Sequence, residues 1–320
     1  MEGYMYIKRK IPVLVAVILA LMVSVMISFN GCAAENTKKE NNKIKLVATT
    51  TMLSDLAKNI GGEKVEVTGL MGTGIDPHLY QASAGDVSSL QKADVVLYNG
   101  IHLEGKMSDI FATLEEQNKT VITVEDALQE SDLIRSEDSE TNFDPHIWFD
   151  VSLWKKAAVH LADELSVYAP DSKEVFAENL KNYLEELNGL EEFIQEKLIS
   201  LPKEKRILVT AHDAFSYFGR AYDFEVKGLQ GISTETEAGT QDISVMAGFI
   251  AENQIKAVFV ESSVSPKTIE ALQAAVKSKE FETAIGGSLY SDSLGDQESG
   301  ADSYIETVKA NVETIVSALQ

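Results

Sequence analysis

Asp171-Ser-Lys-Glu-Val-Phe-Ala-Glu-Asn-Leu180, continuing Lys181-Asn-Tyr-Leu-Glu-Glu-Leu-Asn-Gly-Leu190 and Glu191-Glu-Phe-Ile-Gln-Glu-Lys-Leu-Ile-Ser-Leu201, decides how this chain is organised. Phe176, Leu180, Tyr183, Leu187, Leu190, Ile194, Leu198 and Leu201 recur at spacings of three and four. That is one apolar stripe on an otherwise charged helix. Asp171 and Glu174 form a capping-box pattern after Pro170, and Pro202 stops the run. Thirty helical residues span about 45 Å, enough to run along a whole protein and join two lobes. A pair of extended hinge segments would look different.

On either side of this rod, short apolar runs alternate with helical patterns. Before it lie Lys45–Thr49, Val65–Leu70, Asp94–Asn99 and Thr120–Val124. After it lie Arg206–Ala211, Phe224–Leu229, Ala257–Glu261 and Thr283–Leu289. Amphipathic stretches such as Trp154–Tyr168 and Ala301–Leu319 separate them. Nearly all-apolar strands of this length, alternating with helices, predict parallel sheets covered on both faces. The expected fold is α/β, with two similar four-strand lobes joined by one long rigid bridging helix. No internal sequence repeat accompanies the similarity of the halves. The expected divisions are residues 46–170, the bridge 171–201, and residues 202–320.

The first forty-five residues read as processing and tethering. Lys8, Arg9 and Lys10 precede an uncharged run from Ile11 to Phe29, and Cys32 follows at once. This is the grammar of a secretory signal. The only cysteine of the chain stands where a bacterial lipoprotein signal (residues 1–31) is cut and acylated, although Phe29 occupies a position where Leu is usual. An uncleaved membrane span is the other reading, since about twenty apolar residues cross a bilayer. Either way the remainder is exported and held at a membrane. Residues 32–45 are rich in Asn, Glu and Lys and read as a polar tether reaching at most about 45 Å.

The 320 residues carry 28 Lys+Arg against 50 Asp+Glu, a formal charge of −22. Loss of residues 1–31 removes three bases and one acid and makes it −24. Such an acid excess argues against nucleic acid, whose phosphates need clustered Lys and Arg. A lone cysteine excludes an intrachain disulfide, a Cys-rich zinc cage and an iron–sulfur cluster. Chemistry is left to histidine, carboxylates and hydroxyls.

The histidines are at 78, 102, 146, 160 and 212. Two share a context, Asp76-Pro77-His78 and Asp144-Pro145-His146. Proline fixes its own φ and pushes the preceding residue toward an extended conformation, so each imidazole projects from a stiffened loop. A preorganised ligand loses less entropy on binding a metal. Asp76 and Asp144 are suited to orient those turns or to accept a hydrogen bond from an imidazole. One such tripeptide is a plain turn with a histidine in it; two are a pattern. His212 and Asp292 each follow a predicted strand, where open α/β sheets bind ligands. Together His78, His146, His212 and Asp292 would give N₃O coordination, suited to Zn²⁺ or a related first-row ion.

The chain also resembles the metal-binding lipoproteins that feed ABC-type zinc and manganese importers, the TroA-like solute-binding family. Gly74-Ile-Asp-Pro-His-Leu-Tyr80, Asn99-Gly-Ile-His-Leu-Glu104, Asp144-Pro-His-Ile-Trp148 and Thr210-Ala-His-Asp-Ala-Phe215 carry the resemblance. Gly228-Leu-Gln-Gly-Ile-Ser233, Thr234-Glu-Thr-Glu-Ala-Gly239, Val260-Glu-Ser262 and Tyr290-Ser-Asp-Ser-Leu-Gly295 continue it in order over nearly all of residues 45–320. The resemblance implies a metal site in the interlobe cleft, with His78 and His146 from the first lobe and His212 and Asp292 from the second. It implies a non-catalytic, monomeric receptor outside the cytoplasm, anchored by lipid at Cys32, with an ABC permease and its ATPase as partners. The transported ligand would be one Zn²⁺ or Mn²⁺. Some relatives place Glu where His212 stands, and dedicated zinc receptors often carry a His-rich loop before the second ligand. Here Glu130–Phe143 is acidic and holds no histidine, which leaves the two metals open.

His102 and Glu261 lie near strand ends and are candidates to orient a ligand imidazole by hydrogen bond. His160, inside a helical pattern, reads as a surface histidine, and Glu235 and Glu237 as solvated loop residues that are candidates to contact the permease. Rival readings are a secreted zinc hydrolase and a cell-adhesion protein with an incidental metal. A hydrolase usually keeps three protein ligands and an open water position, and no His-Glu-x-x-His occurs here.

Overall fold

The computed structural model describes residues 43–136 and 143–320. The signal segment, Cys32 and the tether up to residue 42 lie outside the described residues, as does part of the acidic stretch 130–143. Among the described residues, no helix is long and apolar enough to cross a membrane.

All eight expected strands form, with ends shifted by a residue or so. Before the bridge these are β1 (Ile44–Ala48), β2 (Val65–Gly69), β3 (Val95–Tyr98) and β4 (Thr120–Thr123), an all-parallel sheet in the order β2-β1-β3-β4. After it come β5 (Ile207–His212) with β6 (Glu225–Gln230), and β7 (Ala257–Glu261) with β8 (Ala284–Leu289), two parallel pairs. The second half therefore differs from the expected four-strand sheet. β5 and β7 lie side by side, but their ladder is not continuous.

Side chains alternate across each strand, and β1, β3 and β7 bury apolar residues on both faces. In β1 and β3, Leu46, Ala48, Val95 and Leu97 enter the main core, while Val47 and Val96 face the other way. In β7, Ala257 and Phe259 enter the main core and Val258 faces a separate one. The outer cores are closed by α2 (Ala84–Lys92) and α3 (Ser108–Glu116) in the first half. In the second, α7 (Thr240–Glu252) and α8 (Lys267–Lys277) do the same. A short α6 (Ser216–Tyr222) follows β5.

The main core is shared. α1 (Thr51–Gly61), α4 (Val151–Tyr168) and α9 (Tyr304–Leu319) all pack on α5 (Lys173–Ile199), the bridging helix. Phe176, Tyr183, Leu187, Leu190, Ile194 and Leu198 are its buried stripe, as the spacing requires. One apolar cluster thus passes from the first half through α5 into the second. The capping box is not made. Pro170–Ser172 forms a 3₁₀ turn that puts Asp171 inside the turn, and Ser172, at ψ 2°, has no capping side-chain bond. A cap needs an extended residue at that point, and the turn removes it.

Candidate metal centre

Within each sheet the strands run parallel, so their carboxyl ends share one side. His212 is the last residue of β5, Glu261 the last of β7, and Asp292 lies just beyond β8. His78 and His146 arrive on loops from the first half. The four expected ligands converge: one atom from each of His78, His146, His212 and Asp292 lies within 4.8 Å of all the others. All are buried, His146 and His212 completely. The Nε2 atoms of His78 and His212 each stand 3.3 Å from Nε2 of His146. Oδ1 of Asp292 is 3.3 Å from the same nitrogen, and Oδ2 is 3.5 Å from Nε2 of His212. Four donor atoms aimed at one point suit a four-coordinate N₃O cation site.

The two Asp-Pro-His loops are built alike and used differently. In each, the aspartate's Oδ1 accepts from the histidine's own amide, His78 N at 2.9 Å and His146 N at 2.9 Å. Asp144 reaches further, with Oδ1 2.7 Å from Nδ1 of His146, which turns Nε2 toward the centre. Asp76 instead sends Oδ2 to the Thr234 hydroxyl in the other half, at 2.6 Å. On β5, Oε2 of Glu261 lies 2.6 Å from Nδ1 of His212, and Oε1 accepts from its amide at 2.8 Å. A carboxylate behind an imidazole fixes its tautomer and makes it a better ligand.

His102 takes another place. It lies exposed in a turn where Gly100, Ile101 and His102 all have positive φ, and it lines a cavity of about 530 Å³ that reaches His78. His160 sits half-exposed on α4, apart from the cluster. Glu235 pairs with Lys106 at 2.5 Å across the two halves, an exposed contact.

Other side chains hold the ligand loops. Asn99 donates through Nδ2 to the Pro145 carbonyl at 3.1 Å. Buried Glu104 accepts from the Asn99 amide and the Thr49 hydroxyl, so Asn99-Gly-Ile-His-Leu-Glu104 is a scaffold under the second Asp-Pro-His. Asn311 of α9 pairs with both backbone atoms of Tyr290, and Trp148 Nε1 donates to the Ser291 carbonyl. These brace the Asp292 loop. Gly228 of β6 lets that strand approach His212: a Cβ there would stand 2.3 Å from the Asp213 amide nitrogen. Asn311 and Trp148 carry no sequence signal of this role, since it depends on a contact between distant segments.

Electrostatics divides the imidazoles. Burial lowers His78 to about 3, so it is neutral. Burial also disfavours charge on His146, but Asp144 and Asp292 outweigh it and raise it to about 9. His212 is likewise disfavoured by burial, yet Glu261 and Asp292 hold it well above the ordinary histidine range. Asp292, although buried, is kept well below the usual carboxylate range by His212 and His146. The surrounding carboxylates thus favour positive charge at His146 and His212, the place a cation would take.

Residues 46–318 match the zinc-uptake complex component A family, periplasmic (ZnuA). The chain is 41% identical over 304 residues to the manganese-binding lipoprotein MntA of Bacillus subtilis, covering 95% of this chain and 99% of that protein. It is 42% identical over 299 residues to the zinc-binding protein TroA of Treponema pallidum, covering 93% and 96%. The solved structure of that periplasmic zinc-binding protein superposes with a TM-score of 0.83, over 87% of this chain and 99% of the other.

Proposed function

The chain belongs to the zinc-uptake complex component A family, and from that premise we propose that it is an extracytoplasmic solute-binding receptor for a divalent transition metal, zinc or manganese. His78, His146, His212 and Asp292 hold the ion, and an ABC permease with its ATPase receives it. The observation that carries this reading is the convergence of three imidazoles and one carboxylate, from both halves of the chain, within 4.8 Å in a buried site. The relatives named above bear either metal in their names, which agrees with an N₃O donor set that takes both. By the general affinity order, such a site holds Zn²⁺ more tightly than Mn²⁺.

The site is suited to capture rather than catalysis. Four protein ligands complete a tetrahedral shell, and the carboxylates of Asp144 and Glu261 lie against the Nδ1 atoms of His146 and His212 rather than at an open position. The chain is read as a monomer of two α/β lobes, 46–170 and 202–320, around the strut 171–201, tethered to the membrane by acylation at Cys32. Two acyl chains suffice for stable anchoring. The shared core and the bonds across the cleft favour small loop shifts over wide opening for release.

Competition titration of metal-free protein with Zn²⁺ and Mn²⁺ tests the reading. One ion per chain, with zinc the tighter, is the expected result. Absence of saturable binding of either metal would overturn it.

A further inference from the structure

We propose that Thr234 is a positioning residue: acting through Asp76, it holds His78 on the captured ion and sets how fast the ion leaves. The inference rests on the receptor reading above and extends it from capture to release.

The three imidazoles are not held alike. The carboxylates of Asp144 and Glu261 lie against Nδ1 of His146 and His212 at 2.7 and 2.6 Å. Among the described residues no carboxylate does this for His78; Asp76 reaches only its backbone amide, through Oδ1. Of the four ligands, His78 alone lines the cavity of about 530 Å³, so it is the one that meets the open space beside the site. Its place therefore depends on the turn that carries it. Side-chain packing contributes little there, because Ile75 and Leu79, on either side of Asp76-Pro77-His78, are exposed.

The bond that fixes this turn comes from the other half of the chain. Thr234 is buried, and its hydroxyl donates to Oδ2 of Asp76 at 2.6 Å, the length of a charge-assisted hydrogen bond. Asp76 thus links Thr234 to the amide of His78, one oxygen to each. Thr234 belongs to residues 231–239, between β6 and α7, which also reach the first half through Glu235 and Lys106. That pair is exposed, and its contribution is small. His146 and His212 keep their own carboxylates, and the Asp292 loop is braced by Asn311 and Trp148. An arriving ion therefore meets three fixed donors, and His78 closes on it last. Leaving runs in reverse: His78 withdraws first, and the Thr234–Asp76 bond opposes that step.

Thr234→Val, Thr234→Ser and Lys106→Ala in the otherwise intact protein test this. Stopped-flow mixing of Zn²⁺-loaded protein with excess chelator gives the dissociation rate, and mixing of metal-free protein with Zn²⁺ gives the association rate. Thr234→Val should speed dissociation about tenfold and change association by less than about threefold. Thr234→Ser, which keeps the hydroxyl, and Lys106→Ala should both stay within about twofold of the parent. In an Asp76→Ala background the link is already cut, so Thr234→Val should add nothing further. Parent-like dissociation in Thr234→Val overturns the inference. So does a valine effect of full size in the Asp76→Ala background, or an equal effect of Lys106→Ala, either of which would make Thr234 a brace of its own loop only. If the parent protein takes up no Zn²⁺, the receptor reading fails instead, and the two failures are separate.

Discussion

Glu261 grips His212 at two points, with Oε1 on the backbone amide at 2.8 Å and Oε2 at 2.6 Å from the ring Nδ1. One carboxylate at the end of β7 thereby sets both the main chain and the ring of a residue at the end of β5, joining the two strand pairs where their ladder is interrupted.

Glu261→Gln should lower zinc affinity by about 10- to 100-fold while leaving the fold intact, because the ring loses its anionic partner but not its place. Competition titration beside a far-ultraviolet circular dichroism spectrum checks this. Parent-like affinity in a folded variant would remove Glu261 from the site's machinery.

His146→Ala and His212→Ala should each abolish most metal affinity, since each deletes one of four converging donors. His160→Ala, on the face of α4 and outside the cluster, should leave the dissociation constant unchanged. A strong effect at His160 would point to a different site.

Metal uptake at pH 7 should release protons. His146, raised to about 9, and His212, raised above the ordinary range, are protonated there in the metal-free protein, and an ion must displace them. Affinity should therefore climb as pH rises from about 6.5 toward 9, not level off near 6 as free imidazoles would dictate. The same shift has the opposite sign for the metal-free fold: the stability contributed by His146 is complete below about 6.5 and is lost as pH passes through about 9. Calorimetry of zinc binding in two buffers of different ionisation heat counts the protons. A count of zero at pH 7 would contradict the assignment.

Gly228→Ala should cost about 1–3 kcal/mol, because the added carbon would meet the Asp213 amide nitrogen at 2.3 Å. The backbone must yield beside His212, so metal affinity should fall with stability. Urea denaturation of the metal-free protein and a zinc titration read the two effects; a variant as stable as the parent would show that β6 can withdraw freely.

Leu187→Ala, in the middle of the bridging helix and fully buried, should destabilise the protein by about 2–5 kcal/mol. Because the main core runs through α5, one cooperative urea transition is expected rather than separate melting of two halves. Two resolved transitions would mean that the halves are held independently.

The strands and the bridging helix were legible because each buries an apolar pattern of its own period. Leu46, Val47 and Ala48 need covering on both sides, and Phe176 to Leu198 need covering along one stripe. The repeated Asp-Pro-His pointed to two candidate ligands, since a proline stiffens its own loop. The helix start was misread: Asp171 and Glu174 spell a cap, but Pro170 starts a 3₁₀ turn that takes its place. His102 illustrates the same limit. Nearness to a strand end was visible, whereas the positive-φ turn that leaves it in the cavity wall, without an imidazole to orient, was not.

The chain by itself determined the α/β alternation, the long strut and the residue types from which a metal site can be made, because periodicity and local stiffness are properties of neighbouring residues. Only the tertiary structure decided which groups share one point in space. Asp144 bonds to its histidine's ring while the matching Asp76 turns away to Thr234, although the two tripeptides are identical. Ser263 and Asn311 hold the Asp292 loop from segments with no local reason to do so. The direction of a hydrogen bond and the charge on a buried ring are set by what the rest of the chain packs around them, and that is decided on folding.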